Sequence, residues 1–397
     1  MTIHNITYFI GAGLSKSLEI KGSPIPAMWD FTATMADYLN DDIVLTSMAE
    51  LENAGLYQHR SDEAASIAAR LVGESVDRSP AMRTAFREAL KKRPAESIED
   101  IIERSLHTSN NQSAESAHQR FKYAINRLFC LVGWNVNLDS LEHFLQKQIS
   151  QDATHHTFVS FNYDLILDFA VQKTVSTWMP DTGYGFNIPY CVTDDPYPTG
   201  DGPGRSVRAV PFGSHARDST VTILKPHGSL NWLVPYQVPY VQPRHGIQLL
   251  DSTPTIPLTK EGCLRYWCSS EIFQRIQLPN QLPSEVGICI LPPSSAKLSE
   301  LSFVKASREG ELDALASADE VVVVGWSVPD TDIDQAELIK QAINKRSKPI
   351  QSLTVVNRMA SQKYFERLAH LFCVDSRKIH IHNTGFIDFA GCPTSRF

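Results

Sequence analysis

Four short polar motifs each follow an apolar, strand-like run, the position at which open parallel α/β sheets bind ligands. The first is Gly11-Ala12-Gly13-Leu14-Ser15, after the apolar residues 6–10. Its two glycines let backbone N–H groups approach a phosphate closely, and a helix that begins there adds its positive end. The third glycine of the dinucleotide fingerprint is missing, so an ordinary strand–turn–helix junction is an equal alternative.

The second and third motifs place an amide, a carboxylate and an imidazole after strand-like runs. Ser160, Asn162 and Asp164 follow or end the second run, and His227 follows the third. An asparagine there can hold a sugar hydroxyl or a water, and an aspartate can orient it. Taken alone, Asp164 is better explained as a cap of the helix that follows. His227 suits a base near neutral pH, although a lone histidine is more often structural.

The fourth motif follows the most apolar run of the chain, residues 321–324. Gly325 allows a close backbone approach, Ser327 supplies a hydroxyl and Asp332 a carboxylate. The alternative for Asp332 is that it caps its own helix. Asn357 follows the next apolar run, where its amide could meet a ribose or a base.

Apolar runs alternate with amphipathic segments over the last third of the chain, which predicts a parallel sheet with helices on both faces. The predicted fold class is therefore α/β and Rossmann-like, with a helical insertion subdomain. Residues 1–29 and 151–397 would form the first domain, and residues 30–150 the helical subdomain. Within the first domain we predict a long loop at 181–218, an irregular insertion at about 235–285, and strands at 287–291, 321–324, 353–356 and 379–381.

Composition is that of an ordinary soluble globular chain. Of 397 residues, 42% are hydrophobic and 20% charged, and the net charge of −7 argues against a dedicated nucleic-acid binder. No apolar run reaches the roughly 18 residues that span a bilayer, and the N-terminal residues do not resemble a signal peptide, so we expect a cytoplasmic protein. Seven scattered cysteines, of which only Cys263 and Cys268 are close, predict neither a disulfide scaffold nor a bound metal.

Together the motifs resemble the sirtuin-like (silent information regulator) family, and look closest to its bacterial branch found in antiphage defence systems. The resemblance is carried by Gly-Ala-Gly-x-Ser from Gly11, Asn-Tyr-Asp from Asn162, His-Gly-Ser-Leu-Asn-Trp from His227 and Gly-x-Ser-x-x-Asp-x-Asp from Gly325. Protein-deacylating sirtuins carry two closely spaced cysteine pairs in a zinc ribbon. This chain has a single close pair, so the resemblance favours NAD cleavage over deacylation.

The resemblance implies that NAD binds across the carboxyl edge of the sheet as the substrate. It assigns catalysis to Asn162, His227 and Asp164. The residues that it assigns to NAD binding are Gly11, Ala12, Gly13, Ser15, Ser160, Gly325, Ser327, Asp332 and Asn357.

The same resemblance implies an NAD glycohydrolase that releases nicotinamide and ADP-ribose as the effector of an abortive-infection system. Its expected partners are a homo-oligomer and a trans-acting trigger, such as a HerA-type ATPase, a short Argonaute or a phage protein. Residues 30–150 are the candidate assembly surface, or a cover for the NAD cleft. A non-catalytic sensor of NAD or an ADP-ribose derivative is the alternative function, and a protein deacylase a more distant one.

Overall fold

A parallel sheet of six strands lies at the centre of the protein, in a computed structural model of the chain. The structure describes residues 3–18, 24–25, 31–57, 61–73, 76–97, 100–101, 104, 125, 127–129, 136–149, 154–192, 206–212, 220–237, 248–249, 256–257, 275–277, 284–290, 301–329, 333–358 and 361–391.

The described strands and helices are numbered in chain order. The strands are β1 His4–Ile10, β2 Thr154–Ser160, β3 Tyr190–Val192, β4 Ser206–Pro211, β5 Val221–Leu224, β6 Gly228–Gln237, β7 Gln248–Leu249, β8 Ile256–Pro257, β9 Arg275–Gln277, β10 Ser284–Ile290, β11 Glu320–Val324, β12 Ser352–Val356 and β13 Ile379–His382. The helices are α1 Ala12–Ser17, α2 Phe31–Asp37, α3 Asp42–Asn53, α4 Asp62–Val72, α5 Pro80–Lys91, α6 Asp139–Ile149, α7 Ile166–Thr174, α8 Pro180–Gly183, α9 Ser302–Ser317, α10 Ile333–Lys345, α11 Gln362–Leu371 and α12 Phe386–Ala390, with a 3-10 turn at Ser376–Lys378.

The central sheet has the order β13-β12-β11-β1-β2-β5, and every neighbouring pair is parallel. Counted along the chain, this is the strand order 6-5-4-1-2-3 of a Rossmann fold. The order reverses between β1 and β11, whose last residues Ile10 and Val324 are paired. The predicted α/β class and parallel sheet are thus confirmed.

Both faces of this sheet are covered, which explains why its strands are continuous apolar runs in the sequence. On one face, Phe9 and Val323 pack with Ile339 of α10 and Leu368 of α11. On the other face, the Tyr8 ring meets Phe144 of α6 edge-on, with ring centroids 6.0 Å apart. The prediction of helices on both faces is therefore confirmed.

A second sheet of seven short strands corrects two predictions. Its order is β7-β6-β10-β9-β4-β3-β8. The strand predicted at 287–291 belongs here: β10 pairs antiparallel with β6 rather than entering the parallel sheet. Parts of the predicted loop at 181–218 also form regular structure, as α8, β3 and β4. An apolar run looks alike in either kind of sheet, and proline and glycine beside the short strands hide their period.

The helical prediction for residues 30–150 holds wherever that stretch is described, since all its described elements, α2 to α6, are helices. Asp41, Ser61 and Ser79 cap α3, α4 and α5 by accepting hydrogen bonds from backbone N–H groups. Met48 and Phe86 of these helices belong to the same apolar cluster as the sheet residue Tyr8. The division into two domains stays a prediction. Within the described residues, no helix has the length and apolar character to cross a membrane.

Two turns meet backbone to backbone where the sheet order reverses. The Gly11 N–H donates to the Val324 carbonyl over 2.9 Å, and the Gly13 N–H donates to the Gly325 carbonyl over 3.0 Å. A Cβ on Gly325 would lie 2.5 Å from the Gly13 Cα, and Gly325 has a φ of +59°. Glycine is therefore required here both for the backbone conformation and for the close approach.

Gly325→Ala is expected to destabilise the protein by about 3 kcal/mol or more, because the left-handed backbone costs about 1–2 kcal/mol and the overlap with Gly13 adds to it. Gly55→Ala is the matched control, since Gly55 has a φ of +68° and a Cβ there would meet none of the described atoms within 4 Å. It should cost only the backbone contribution of about 1–2 kcal/mol. Urea unfolding of both variants measures the difference, and equal losses would contradict the close contact.

Candidate functional site

A cleft of about 500 Å³ opens at the carboxyl edge of the central sheet, beside the point where the strand order reverses. Four residues predicted from the sequence line it: Gly13, Gly325, Ser327 and Asn357. Its volume lies within the range of about 300–1,000 Å³ that is typical of small-molecule sites. The structure therefore brings the first and fourth motifs into one cavity.

Five further polar residues of this cleft were missed by the sequence reasoning: Lys16, Ser17, Arg358, Ser361 and Tyr364. Lys16 lies one position after Ser15, and Arg358 one position after Asn357, so adjacency to predicted residues is the signal that could have found them. The Tyr364 hydroxyl donates to the Trp326 carbonyl, and burial raises the pKa of Tyr364 to about 12. This hydroxyl therefore stays protonated and ties α11 to the loop after β11.

The second motif meets the first through a chain of buried hydrogen bonds. The Ser15 hydroxyl donates to Asp164 Oδ2 over 2.7 Å. The Asn162 Nδ2 group donates to the Gly11 carbonyl over 3.1 Å and to Ser15 Oγ over 3.0 Å. Asn162, Ser15 and Asp164 thus form one network with the backbone of the glycine turn.

This network fixes which end of the Asn162 amide is available. Both Asp164 oxygens act as acceptors, because Oδ1 accepts from the Ile166 N–H over 3.0 Å and Oδ2 accepts from Ser15. The Ser15 hydroxyl has one proton, and it donates this proton in the hydrogen bond to Asp164. Its oxygen must therefore accept the hydrogen bond from Asn162. The two Nδ2 protons are then used, and Oδ1 of Asn162 is left to accept a hydrogen bond from water or a hydroxyl.

The sequence left two roles open for Asp164, one at the start of the following helix and one beside Asn162, and the structure shows contacts of both kinds. Its Oδ1 accepts from the N–H of Ile166, the first residue of α7, although the N-cap position itself is Leu165, one residue later than Asp164. Its bond from Ser15 links it to Asn162. Burial raises the pKa of this carboxyl, while the hydrogen bond from Ser15 and the nearby Lys225 ammonium act in the opposite direction. Asp164 therefore reaches the Asn162 amide through Ser15, and its predicted catalytic role stays a prediction.

His227 is buried among aromatic rings that flank Asn162 in sequence. Its ring lies 5.5 Å from Phe161 and 6.4 Å from Tyr163, centroid to centroid. Gly228 follows with a φ of +82°, and a Cβ there would lie 2.2 Å from the Cys289 carbonyl oxygen. Burial, with a smaller contribution from Arg308, lowers the pKa of His227 to about 3. The imidazole is therefore neutral at physiological pH.

Three further predicted residues lie at the carboxyl ends of β1 and β2. Gly11 precedes α1, Ala12 begins it, and the buried Ser160 ends β2 opposite Ile10. Asp332 lies outside the described residues. Cys263 and Cys268 also lie outside them, and within the described part of the chain no three metal-ligating side chains converge.

No protein-family model matches the chain, and a comparison with curated proteins finds no match. The likeness to sirtuin-like proteins therefore rests on the motifs and their order along the chain.

Acid is expected to destabilise the protein through its buried histidines. Burial lowers the pKa of His227 to about 3 and that of His156 to about 4. Both values lie below the ordinary value of about 6.5, so the unfolded chain binds more protons at intermediate pH. Their contribution to the free energy of unfolding is complete above pH 6.5, and is lost progressively as the pH falls toward 4 and then 3.

His227→Gln should therefore flatten the decline in stability between pH 6.5 and 4.5, by up to about 1.4 kcal/mol per pH unit. Urea unfolding at a series of pH values measures it. His370→Gln is the control, since it makes the same exchange at an exposed position on α11. An unaltered slope in His227→Gln would contradict the burial of a neutral imidazole.

Proposed function

We propose that this protein hydrolyses NAD to nicotinamide and ADP-ribose. The observation that carries the proposal is Asn162, held by Ser15 and by the Gly11 carbonyl beside the glycine turn where the Rossmann strand order reverses. Ligands of such folds bind in the crevice at this reversal. A fixed amide oxygen beside that crevice suits the orientation of water or of ribose hydroxyls.

The charge of the cleft favours a substrate with phosphate groups. Lys16 lies on α1, directly after the glycine turn, and Arg358 lies just after the end of β12. Both residues line the cleft, and none of its described lining residues is acidic. In this proposal the pyrophosphate lies along the glycine turn, and Ser327 and Asn357 contact the adenosine half of NAD.

The chemistry required is a displacement at C1′ of the nicotinamide ribose. The bond between C1′ and the nicotinamide nitrogen breaks, and its electron pair stays on nicotinamide. The oxygen of a water molecule bonds to the oxocarbenium-like C1′, and its proton passes through the His227 imidazole to solvent. Asn162 orients the water or the ribose hydroxyls through Oδ1, while Ser15 and Asp164 keep its amide in that orientation.

Asn162→Ala and His227→Ala should remain folded and lose about two to four decades of hydrolysis rate, the usual effect of losing such a group. Nicotinamide release from NAD measures this over a wide range of protein concentration, with circular dichroism to confirm folding. A rate close to that of the natural protein in both variants would refute the assignment.

Arg358→Ala should weaken binding of ADP-ribose about tenfold, and the loss should shrink at high salt because an exposed charge is screened. Calorimetry measures the dissociation constant. Arg367→Ala is the matched control: Arg367 is an exposed arginine on α11 that does not line the cleft. Equal effects of the two substitutions would place the anionic end of the ligand elsewhere.

A sensor without turnover is the second candidate, favoured by the low pKa of His227, because a weak base is a poor proton acceptor. It predicts saturable binding of NAD or an ADP-ribose derivative with no release of nicotinamide under any condition. A protein deacylase is a more distant candidate, and NAD-dependent release of a deacylated peptide would support it.

The resemblance to the defence branch supports a role as the effector of abortive infection in the bacterial cytoplasm. Uncontrolled loss of NAD would kill the host, so we expect a silent state released by assembly or by a trigger in trans. We propose that the chain assembles into a homo-oligomer. The proposed trans-acting partners are a HerA-type ATPase, a short Argonaute or a phage protein. A rate that rises steeply with protein concentration would identify assembly as the switch.

A further inference from the structure

A buried ion pair lies next to the candidate catalytic residues. The Lys225 ammonium is fully buried and lies 2.9 Å from Asp168 Oδ2, whose side chain is 4% exposed. Burying two charges costs several kcal/mol per ion unless further hydrogen bonds satisfy them. The groups that form hydrogen bonds with this pair therefore show which segments of the chain the pair connects.

The pair belongs to a closed ring of side-chain contacts. Asp168 Oδ1 accepts from the Tyr184 hydroxyl over 2.5 Å, and Tyr184 accepts from Asn231 Nδ2 over 2.9 Å. Asn231 Oδ1 accepts from Ser229 Oγ over 2.7 Å, and Ser229 accepts from Lys225 Nζ over 2.9 Å. All five side chains are buried, so each one limits the freedom of its neighbours.

The third contact of Lys225 leaves this ring and reaches the segment that carries Asn162. Lys225 Nζ donates to the Asp164 carbonyl over 2.7 Å. The Leu230 N–H donates to the Tyr163 carbonyl over 3.2 Å. The two carbonyl groups that follow Asn162 are therefore both held by the segment that contains His227.

The Lys225 backbone also closes the turn that carries His227. Its carbonyl accepts from the Gly228 N–H over 3.0 Å, and its N–H donates to the Ser307 hydroxyl of α9 over 3.0 Å. One residue thus fixes the turn of His227 through its backbone and the segment of Asn162 through its side chain.

We propose that Lys225 is a positioning residue for the hydrolysis of NAD, joining the Asn162 segment and the His227 turn into one rigid unit through the ring with Asp168 and Tyr184. This inference rests on the proposed function. The proposal predicts an effect on the rate of hydrolysis and not on ligand binding, because neither Lys225 nor its ring partners line the cleft. Loss of the ring should therefore lower kcat while the affinity for ADP-ribose is retained.

The test uses the full chain with two ring variants and one control. Tyr184→Phe removes one hydroxyl from the ring. Lys225→Met with Asp168→Asn removes both charges of the ion pair together, so that neither Lys225 nor Asp168 is left as a lone charge of the pair. Tyr8→Phe is the control, because Tyr8 is also buried and its hydroxyl also meets a side chain, His156 Nδ1, at 3.1 Å in the middle of the sheet.

We expect kcat for nicotinamide release to fall about tenfold in Tyr184→Phe and about a hundredfold in the double variant, as misplacement by about 1 Å does. KM and the dissociation constant of ADP-ribose should stay within about threefold of the natural protein, and Tyr8→Phe should keep its kcat. Folded ring variants with unchanged kcat would overturn the proposal, as would a kcat that only follows the folded fraction. If the double variant does not fold, Tyr184→Phe decides.

A second readout separates this proposal from the hydrolase assignment. If the natural protein never releases nicotinamide, even with a trigger present, the proposed function fails. The imidazole signal of His227 in NMR titrations still reports on the turn. It should titrate at higher pH in Tyr184→Phe, because a loosened turn admits water to the imidazole. An unchanged titration in the folded variant would overturn the positioning role by itself.

Discussion

The backbone contact between the two glycine turns is the constraint on which the rest of the site depends. β1 and β11 are neighbours at the reversal of the strand order, so the chain leaves both strands at the same place. The Gly13 Cα and the Gly325 backbone approach so closely that neither position has room for a side chain. The cleft opens beside this contact, and both Gly13 and Gly325 line it.

The position of the first turn also sets the direction of the hydrogen bonds beside it. The Gly11 carbonyl accepts one hydrogen bond from the Asn162 amide, and the Ser15 hydroxyl oxygen accepts the other. Ser15 donates to the buried Asp164, so its oxygen is left to accept from Asn162. A short chain of hydrogen bonds thus links the position of the glycine turn to the orientation of the Asn162 side-chain amide.

The parallel sheet was predictable because continuous valine-rich strands such as 321–324 leave few alternatives, and polar residues at their ends then fall on one edge. The seven-stranded sheet was not predictable, since β10 is as apolar as a strand of the parallel sheet. Lys16 and Arg358 were missed because charged residues are common on any surface. The ring around Lys225 depends on residues 168, 184 and 231, which only the tertiary fold brings together.

The two halves of the candidate site lie on opposite sides of β1. The cleft is lined by residues at or after the ends of β1, β11, β12 and β13, whereas Asn162 and His227 follow β2 and β5 on the other side of β1. The proposed function therefore assigns recognition and bond breaking to separate stretches of the chain. For the proposed hydrolase, a replacement on the side of Asn162 and His227 can abolish turnover and leave a receptor for the same nucleotide. Enzymes and receptors built on this plan can then lie a single mutational step apart.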